Sequence, residues 1–347
     1  MTQTLEIFGV DDFHLHLREG VRMVAVAQDA ARTLGRALVM PNLKTPVATT
    51  EQVLLYRQQI LDATQGSGFE PLMSLYLTKE TTVAELRKAK ESGVVYAVKL
   101  YPQGATTLSN AGVHDITSAY PLFAEMEALG LVLAVHGEVT DPSVDIFDRE
   151  AVFLEKVLSP IVAKFPGLKV VLEHVTTAEG VDFIKSQGPN IAGTLTAHHL
   201  RINRNHLLVG GIKPHLYCLP IVKRQSHQEA LVKAAVSGSL KFFMGTDSAP
   251  HAQGDKESAC GCAGVYTGFA PLTYYAEVFE QQGALGRLQA FVGHFGADFY
   301  GIDRGHRGFL LTKEPCLIPK ELSLGPDRLV PFEAGKELSW SQKSIKP

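Results

Sequence analysis

The chain has 347 residues, of which 45% are hydrophobic and 20% are charged, and its formal net charge at pH 7 is −3. This composition supplies enough apolar material for a large core and excludes an intrinsically disordered protein. The near-neutral charge gives no general attraction for nucleic acid or for a membrane surface, so we expect neither as a partner.

Targeting signals and disulfides are not expected either. No run approaches 18 apolar residues, and the beginning of the chain, MTQTLEIFGVDDFHLHLREG, lacks a basic segment followed by an apolar one. These features argue against a membrane-spanning helix and a secretory signal. Four cysteines are too few for a disulfide scaffold in a chain of this length. We therefore expect a cytoplasmic protein with reduced thiols.

Eight short apolar runs alternate with longer amphipathic stretches, which predicts repeated β-strand and α-helix units. The predicted strands are Val10–Leu17, Arg36–Pro41, Pro71–Leu77, Val94–Tyr101, Leu131–Gly137, Leu168–Val175, Asn190–Ala197 and Leu240–Thr246. The predicted helices include Glu51–Thr64, Thr81–Ser92, Ala119–Leu129, Arg149–Phe165, Ala178–Ser186, Ser226–Ser237, Pro271–Gln282 and Ala284–Phe299.

This order favours an α/β fold, specifically a (β/α)8 TIM barrel. An open doubly wound sheet is the alternative, but no glycine-rich phosphate loop follows the first strand. The tail holds only short β-like pieces, FLLTKEPCLI and RLVPFEAGKELSW. We therefore predict a single domain over residues 1–347, with a small C-terminal extension over about 309–347.

Residues with metal-binding or catalytic chemistry stand at the ends of the predicted strands. They are His14, His16, Lys99, His136, His174 and Asp247. The carboxyl ends of the strands of a barrel converge on one mouth, where the active sites of this fold lie. We therefore expect these side chains to share one cavity, and the nitrogen-rich set favours zinc.

The pair His14 and His16 lies on the first strand. Strict alternation puts both on one face with Asp12 and Arg18, and turns Phe13 towards the helices. Two neutral imidazoles on one rigid strand suit a single metal ion. The alternative is a pair of hydrogen-bonded structural histidines.

Lys99 interrupts the apolar run VVYAVKLYP. Burial lowers the pKa of a lysine, and a neutral amine can react with carbon dioxide to give a carbamate that bridges two metal ions. The alternatives are a lysine that extends to solvent or a Schiff-base lysine.

Asp247, in FFMGTDSAPH, also has more than one interpretation. It is predicted to be a ligand, a general base, or both, and the alternative is the N-cap of a following helix.

Some other residues have less specific interpretations. His198 and His199 end the seventh strand and compete for a ligand role. Cys218 is interpreted as a packing residue, and Cys260-Gly261-Cys262 as loop or buried thiols, because no second cysteine pair accompanies this segment.

The pattern of histidines, lysine and aspartate resembles the amidohydrolase superfamily. Longer strings resemble its bacterial dihydroorotases of the short, stand-alone type: VDDFHLHLREG, VKLYPQGATT, VLEHVTT, INRNHLLVGGIKPHLYCLPIVKR and GTDSAPHAQGDKESACGCAG. The resemblance runs from about residue 5 to residue 340. It implies a homodimeric enzyme of pyrimidine biosynthesis that interconverts N-carbamoyl-L-aspartate and L-dihydroorotate.

The resemblance also implies roles for individual residues. One zinc ion would be held by His14, His16, Lys99 and Asp247, and a second by Lys99, His136 and His174, with Lys99 carboxylated as N6-carboxylysine. Asp247 would be the catalytic base. The residues expected to contact substrate are Arg18, Asn42, Thr106, Thr107, Leu219, His251 and Ala263.

Two other functions remain open on the sequence. A hydantoinase would share the metal ligands but need not share the cationic residues that bind a carboxylate, and a non-catalytic scaffold would have no need of a complete ligand set. Many amidohydrolases build a small β-sandwich from both termini. Because the first expected ligand here is residue 14, we expect no N-terminal contribution to such a sheet.

Overall fold

The computed structural model describes residues 3–345 and contains an eight-stranded parallel barrel. The strands are β1 (Thr4–Phe8), β2 (Asp11–Leu15), β3 (Arg36–Val39), β4 (Glu70–Tyr76), β5 (Val95–Leu100), β6 (Val132–His136), β7 (Val170–Glu173), β8 (Ile191–Leu195), β9 (Phe242–Met244), β10 (Gly308–Thr312), β11 (Cys316–Leu317), β12 (Leu322–Leu324), β13 (Asp327–Leu329), β14 (Glu337–Leu338) and β15 (Ser341–Ser344).

Helices connect and cover these strands. The α-helices are α1 (Gly20–Thr33), α2 (Thr50–Ala63), α3 (Val83–Glu91), α4 (Tyr120–Leu129), α5 (Arg149–Phe153), α6 (Ser159–Lys164), α7 (Ala178–Ser186), α8 (Ala197–Arg201), α9 (Arg204–Leu208), α10 (Gln225–Ala235), α11 (Gln253–Lys256), α12 (Pro271–Gln281), α13 (Leu288–Gly293) and α14 (Phe295–Tyr300). A π-helical turn, Leu154–Leu158, joins α5 to α6, and short 3₁₀ turns span Ile116–Ala119, Pro214–Leu216 and Leu285–Arg287.

The predicted TIM barrel is confirmed. Strands β2 to β9 pair in parallel and in chain order, and backbone hydrogen bonds after β2 and β9 close the barrel. The Asp247 amide donates to the His14 carbonyl at 2.9 Å, and the His16 amide donates to the Ser248 carbonyl at 3.2 Å. All eight predicted strands correspond to β2–β9, with ends that differ by at most two residues. The closure places residues 14–16 beside residues 247–248.

The predicted orientation of the first strand is partly wrong. Between Asp12 and Leu15 the pairing of β2 with β3 slips, because Asp12 opposes Ala37 whereas Leu15 opposes Val39. Such a bulge reverses the alternation of side chains. Phe13, predicted to face the helices, therefore lies in the apolar cluster inside the barrel, with its ring 5.3 Å from that of Phe243.

Asp12 is likewise not on the face of the histidines. Its carboxylate accepts hydrogen bonds from the Thr246 amide at 2.8 Å and from the His14 amide at 3.0 Å. It thereby ties the bulge of β2 to the end of β9.

The N-terminus contributes a strand to the small sheet beside the barrel, contrary to expectation. β1 pairs antiparallel with β10, and β10 pairs with β15. The alternation in TLEIF explains this pairing, because Ile7 is fully buried while its neighbours Glu6 and Phe8 are exposed. Two further pairs, β11 with β14 and β12 with β13, complete the C-terminal segment.

The helix predicted over Ala284–Phe299 is divided by a break at His294, between α13 and α14. Gly293 lies so close to the carbonyls of Phe8 and Gly9 that a Cβ atom there would lie 2.5 Å from the Phe8 oxygen. Close packing on the N-terminal segment accounts for glycine at this point. Within residues 3–345, no helix combines the length and apolar character needed to cross a membrane.

Candidate active site

The carboxyl ends of the barrel strands surround one polar pocket. It is lined by His14, His16, Arg18, Asn42, Tyr101, Thr106, Thr107, His136, His174, Leu219, Asp247, Ala249, Ala263 and Gly264. Of the thirteen residues predicted for the site, eleven are in this lining. The other two, Lys99 and His251, contact it from behind and from the rim.

Three ligand-type atoms converge at the junction of β2 and β9. The Nε2 atoms of His14 and His16 are 3.2 Å apart, and the nearer Asp247 oxygen, Oδ1, lies 3.3 Å from the first and 3.0 Å from the second. An ion bound tetrahedrally at 2.0–2.1 Å holds its ligand atoms about 3.3 Å apart. The triangle of atoms therefore has the size of one face of a metal coordination tetrahedron.

His174 and His136 extend this cluster around the barrel. The ring of His174 lies 5.0 Å from that of His14 and 4.8 Å from that of His136. The Nδ1 atom of His174 is buried and has no hydrogen-bond partner. His14, His174 and Asp247 each offer a ligand atom within 4.8 Å of the others. A buried ring nitrogen without a hydrogen-bond partner is free to bind a metal ion.

The protonation of the cluster suits metal binding. Burial lowers the pKa of His14, lowers that of His16 to about 3, and lowers that of His174 well below its usual value. Burial would raise the pKa of Asp247, but the neighbouring His14 and His16 rings outweigh this effect and hold it well below its usual value. Neutral imidazoles and an ionised carboxylate are the forms that coordinate metal.

Lys99 lies near the carboxyl end of β5 and is completely buried. Burial lowers the pKa of its amine well below the usual value, and the amine stands 4.7 Å from the centre of the Tyr101 ring. It also contacts Glu173. A lysine that extends to solvent, one of the sequence alternatives, is therefore wrong.

Glu173 was missed by the sequence analysis. One oxygen of its carboxylate, Oε2, contacts the Lys99 amine. The other, Oε1, lies 3.1 Å from the Nδ1 atom of His14. The signal was a carboxylate at the end of the apolar run LKVVLEH, directly before His174. A buried carboxylate at a strand end, like the buried Lys99, requires a partner.

Three of the predicted site residues have strained backbones. Arg18, His174 and Asp247 have φ angles of 64°, 44° and 47°. This left-handed region costs a residue with a Cβ atom roughly 1–2 kcal/mol. Such strain is typical of functional positions. The turn at His174 lets Glu173 and His174, which are adjacent in the chain, both contact the cluster.

The other interpretation of Asp247, as the N-cap of the following helix, is wrong. The next helix, α11, begins at Gln253 and has Ala252 as its N-cap.

A cationic group stands at the rim of the pocket. The Arg18 guanidinium lies 2.9 Å from Nε2 of His251 and donates to the Pro250 carbonyl at 3.0 Å. Burial and the Arg18 charge lower the pKa of His251 to about 2, so this imidazole is neutral. Guanidinium groups match the geometry of a carboxylate, so this group can bind an anionic substrate.

The loop after β5 closes one side of the pocket. The Asn42 amide nitrogen donates to the Thr107 carbonyl at 3.2 Å, while its Oδ1 atom is buried without a partner. The Thr107 hydroxyl donates to the Ala263 carbonyl at 3.4 Å. Thr106, Thr107 and Ala263 thus belong to one continuous rim, with Leu219 beside them in the lining.

A second group, His198, His199 and Cys218, also has the spacing of a metal site. Both ring nitrogens of His199 already have protein partners, the Thr196 hydroxyl at 2.8 Å and the Pro220 carbonyl at 2.9 Å. The Cys218 thiol donates to the same carbonyl. These hydrogen bonds account for His199 and Cys218 as structural residues.

Comparison with known proteins agrees with this geometry. The model of the Amidohydrolase family matches residues 8–304. The chain is 55% identical over 340 residues to a dihydroorotase of Aliivibrio fischeri and 56% identical to one of Vibrio vulnificus, covering 98% of this chain and 99% of each relative.

Among solved structures, a dihydroorotase of Saccharomyces cerevisiae in complex with 5-fluoroorotic acid superposes with a TM-score of 0.92 and 35% identity, covering 99% of this chain and all of that one. An L-hydantoinase of Arthrobacter aurescens has a TM-score of 0.82 and 17% identity, covering 98% of this chain and 84% of that one. The hydantoinase likeness extends to the fold alone.

Proposed function

We propose, since the chain belongs to the amidohydrolase family and within it to the dihydroorotases, that it catalyses the reversible cyclisation of N-carbamoyl-L-aspartate to L-dihydroorotate in pyrimidine biosynthesis. The observation that carries this proposal is one mouth holding both a metal-type cluster and the Arg18–His251 group. The first suits hydrolysis of an amide, and the second suits the substrate carboxylate.

The proposed metal centre holds two zinc ions. His14, His16, Lys99 and Asp247 would hold one, and Lys99, His136 and His174 the other. Lys99 would bridge them as N6-carboxylysine: its neutral amine forms a bond to the carbon of carbon dioxide and releases a proton. The low pKa of Lys99 supports this step, because the neutral amine is the reactive form.

When bound, the ions would supply Lewis acidity and an attacking water that is ionised near neutral pH. In the hydrolytic direction Asp247 accepts the proton of that water as the oxygen adds to the amide carbonyl. Asp247 then returns the proton to the ring nitrogen as the carbon–nitrogen bond breaks. Cyclisation follows the same steps in reverse.

The other predicted residues would bind substrate. Arg18, Asn42 and His251 would bind its carboxylate, and the loop containing Thr106 and Thr107 would fold over it. Leu219 and Ala263, which line the pocket, would also contact substrate through backbone and side-chain atoms. The unpartnered Oδ1 atom of Asn42 supports this assignment.

The test is turnover of L-dihydroorotate and of N-carbamoyl-L-aspartate by purified protein, with metal analysis and a ¹³CO₂-labelled carbamate signal. We expect turnover in both directions, close to two zinc ions per chain, and loss of metal and activity together in Lys99→Ala. Hydantoin as the preferred substrate would favour the hydantoinase function. No turnover of either by metal-loaded protein would favour the scaffold.

We further propose a cytoplasmic homodimer in which residues 1–347 act as one unit. Light scattering on the eluting protein checks the assembly, with a mass near 75 kDa expected from two chains of 37.7 kDa each. A mass of one chain would contradict it.

A further inference from the structure

Glu173 is a buried carboxylate to which neither the sequence nor the proposed chemistry assigns a role. It lies at the end of β7, and its side chain has no exposed surface. Its Oε1 atom is 3.1 Å from Nδ1 of His14, and its Oε2 atom contacts the Lys99 amine. One side chain thus connects two proposed metal ligands that come from different strands, β2 and β5.

We infer that Glu173 is a positioning residue of the metal centre, whose carboxylate holds the His14 ring and the Lys99 nitrogen in their metal-binding orientations. The inference rests on the proposed function, because it assumes that His14 and Lys99 bind metal.

The contact with His14 fixes which ring nitrogen is free. Nε2 of His14 points to His16 and Asp247, at 3.2 Å and 3.3 Å. For Nε2 to offer a lone pair to a metal ion, the proton of the neutral ring has to be on Nδ1. Oε1 of Glu173 lies 3.1 Å from that nitrogen, and both atoms are buried without any other hydrogen-bond partner. A carboxylate in this position can accept the Nδ1–H, and carboxylate partners of this kind hold metal-binding histidines in place.

The contact with Lys99 is compatible with carboxylation. A lysine carbamate keeps one N–H on its nitrogen, and Glu173 Oε2 can accept that hydrogen just as it accepts one from the unmodified amine. The two carbamate oxygens, which Glu173 would not engage, would then be free to bind the metal ions. Glu173 therefore needs two acceptor atoms at once, which a carboxylate provides and a carboxamide does not.

The test compares Glu173→Gln with a matched control, Glu277→Gln. Glu277 is another buried glutamate with two polar contacts, Arg201 at 2.8 Å and the Ser339 amide at 2.5 Å, outside the pocket. Glutamine at 173 has to direct its NH₂ group at either His14 or Lys99. We expect zinc affinity, measured by competition with a chelator, to fall 10- to 100-fold in Glu173→Gln. The ¹³C carbamate signal should fall with it at limiting zinc, and both should stay at the wild-type level in Glu277→Gln.

Zinc affinity and carbamate within twofold of wild type in Glu173→Gln would overturn the inference. An equal loss in both variants would also overturn it, because general destabilisation would then account for the effect. Wild-type protein that turns over dihydroorotate confirms the proposed function whichever way the Glu173 variant behaves.

A measurement on the wild type keeps the inference testable if Glu173→Gln does not fold. In zinc-loaded protein labelled with ¹⁵N-histidine, His14 should show a protonated, slowly exchanging Nδ1 and a metal-bound Nε2. A His14 ring that binds zinc through Nδ1, or that lacks the Nδ1 proton, would overturn the inference.

Discussion

Burial explains the chemistry of the individual site residues. Lys99, His14 and His174 are almost wholly removed from water, and this lowers the pKa of each. Desolvation disfavours the charged form of a base, so all three are held as neutral nitrogen donors. The sequence predicted these residues because each polar type stands at the end of an apolar run. It did not predict Glu173, because a carboxylate directly before a histidine looks like the outward-facing residue of an alternating strand.

Asp247 is expected to be essential for proton transfer. Asp247→Asn keeps the size of the side chain but removes the base, so kcat should fall by roughly 10²-fold or more. The measurement is steady-state turnover of L-dihydroorotate by protein whose metal content has been shown to match wild type. Full activity in that metal-loaded variant would exclude Asp247 as the base.

Arg18 is expected to act on substrate and not on metal. Arg18→Met removes the guanidinium that lies 2.9 Å from His251. KM for both substrates should rise at least tenfold, because a charged hydrogen bond contributes about 1.5–3 kcal/mol. Metal content should stay unchanged.

The control for this variant is Arg22→Met, which removes a surface arginine paired with Asp255 and Asp327. It should leave KM unchanged. Loss of zinc in Arg18→Met would instead indicate that Arg18 stabilises the metal centre.

At the scale of elements, irregular segments position the site. The bulge in β2 turns Phe13 into the barrel and still directs His14 and His16 to the mouth. Hydrophobic periodicity predicts each barrel strand but not a one-residue slip in pairing, because the slip depends on the Asp12 hydrogen bonds to Thr246, 234 residues away. The pairing of β1 with β10 was missed for the same reason, since it joins the two ends of the chain.

The loop containing Thr106 and Thr107 is expected to contribute to catalysis. Its contacts with Asn42 and Ala263 place it across the pocket, and loops in this position close over substrate. Replacing both threonines with alanine should lower kcat/KM about tenfold, because each hydrogen bond lost to substrate costs about 0.5–1.5 kcal/mol, while metal content stays normal. Thr117→Ala, which changes an exposed threonine bonded to Asp115, is the control. Unchanged kinetics in the double variant would make the loop an inert turn.

Lys256 is expected to hold the opposite rim. It is buried, and its amine donates to the carbonyls of Tyr217, Cys262 and Gly264 at 2.7–2.8 Å. Lys256→Met leaves these carbonyls without a donor, and one such unsatisfied group costs about 1–3 kcal/mol. The variant should unfold at lower denaturant concentration and show a raised KM with normal zinc content. A KM equal to that of the wild type would show that the contacts of Lys256 do not contribute to substrate binding.

At the scale of the whole molecule, the proposed centre ties the barrel together. Its ligands lie on β2, β5 and β6 and directly after β2, β7 and β9, so they span the seam at which the barrel closes. A ligand that binds only the folded state stabilises it by about 4 kcal/mol when present at 1,000 times its dissociation constant. Metal binding and folding should therefore be coupled in this chain.

Removal of metal is expected to lower thermal stability as well as activity. Dialysis against a strong chelator should abolish turnover and lower Tm by several degrees. A loss of 1 kcal/mol in the free energy of unfolding lowers Tm by about 2–4 °C in domains of 150–250 residues, and by less in longer chains. Zinc or cobalt should restore both properties. The matched control is Lys99→Ala, which lacks the bridging side chain and should have nearly the same Tm with and without zinc. A metal-free preparation with full activity would contradict the metal-dependent mechanism, and an unchanged Tm with two bound ions would show that the centre does not bear on the stability of the barrel.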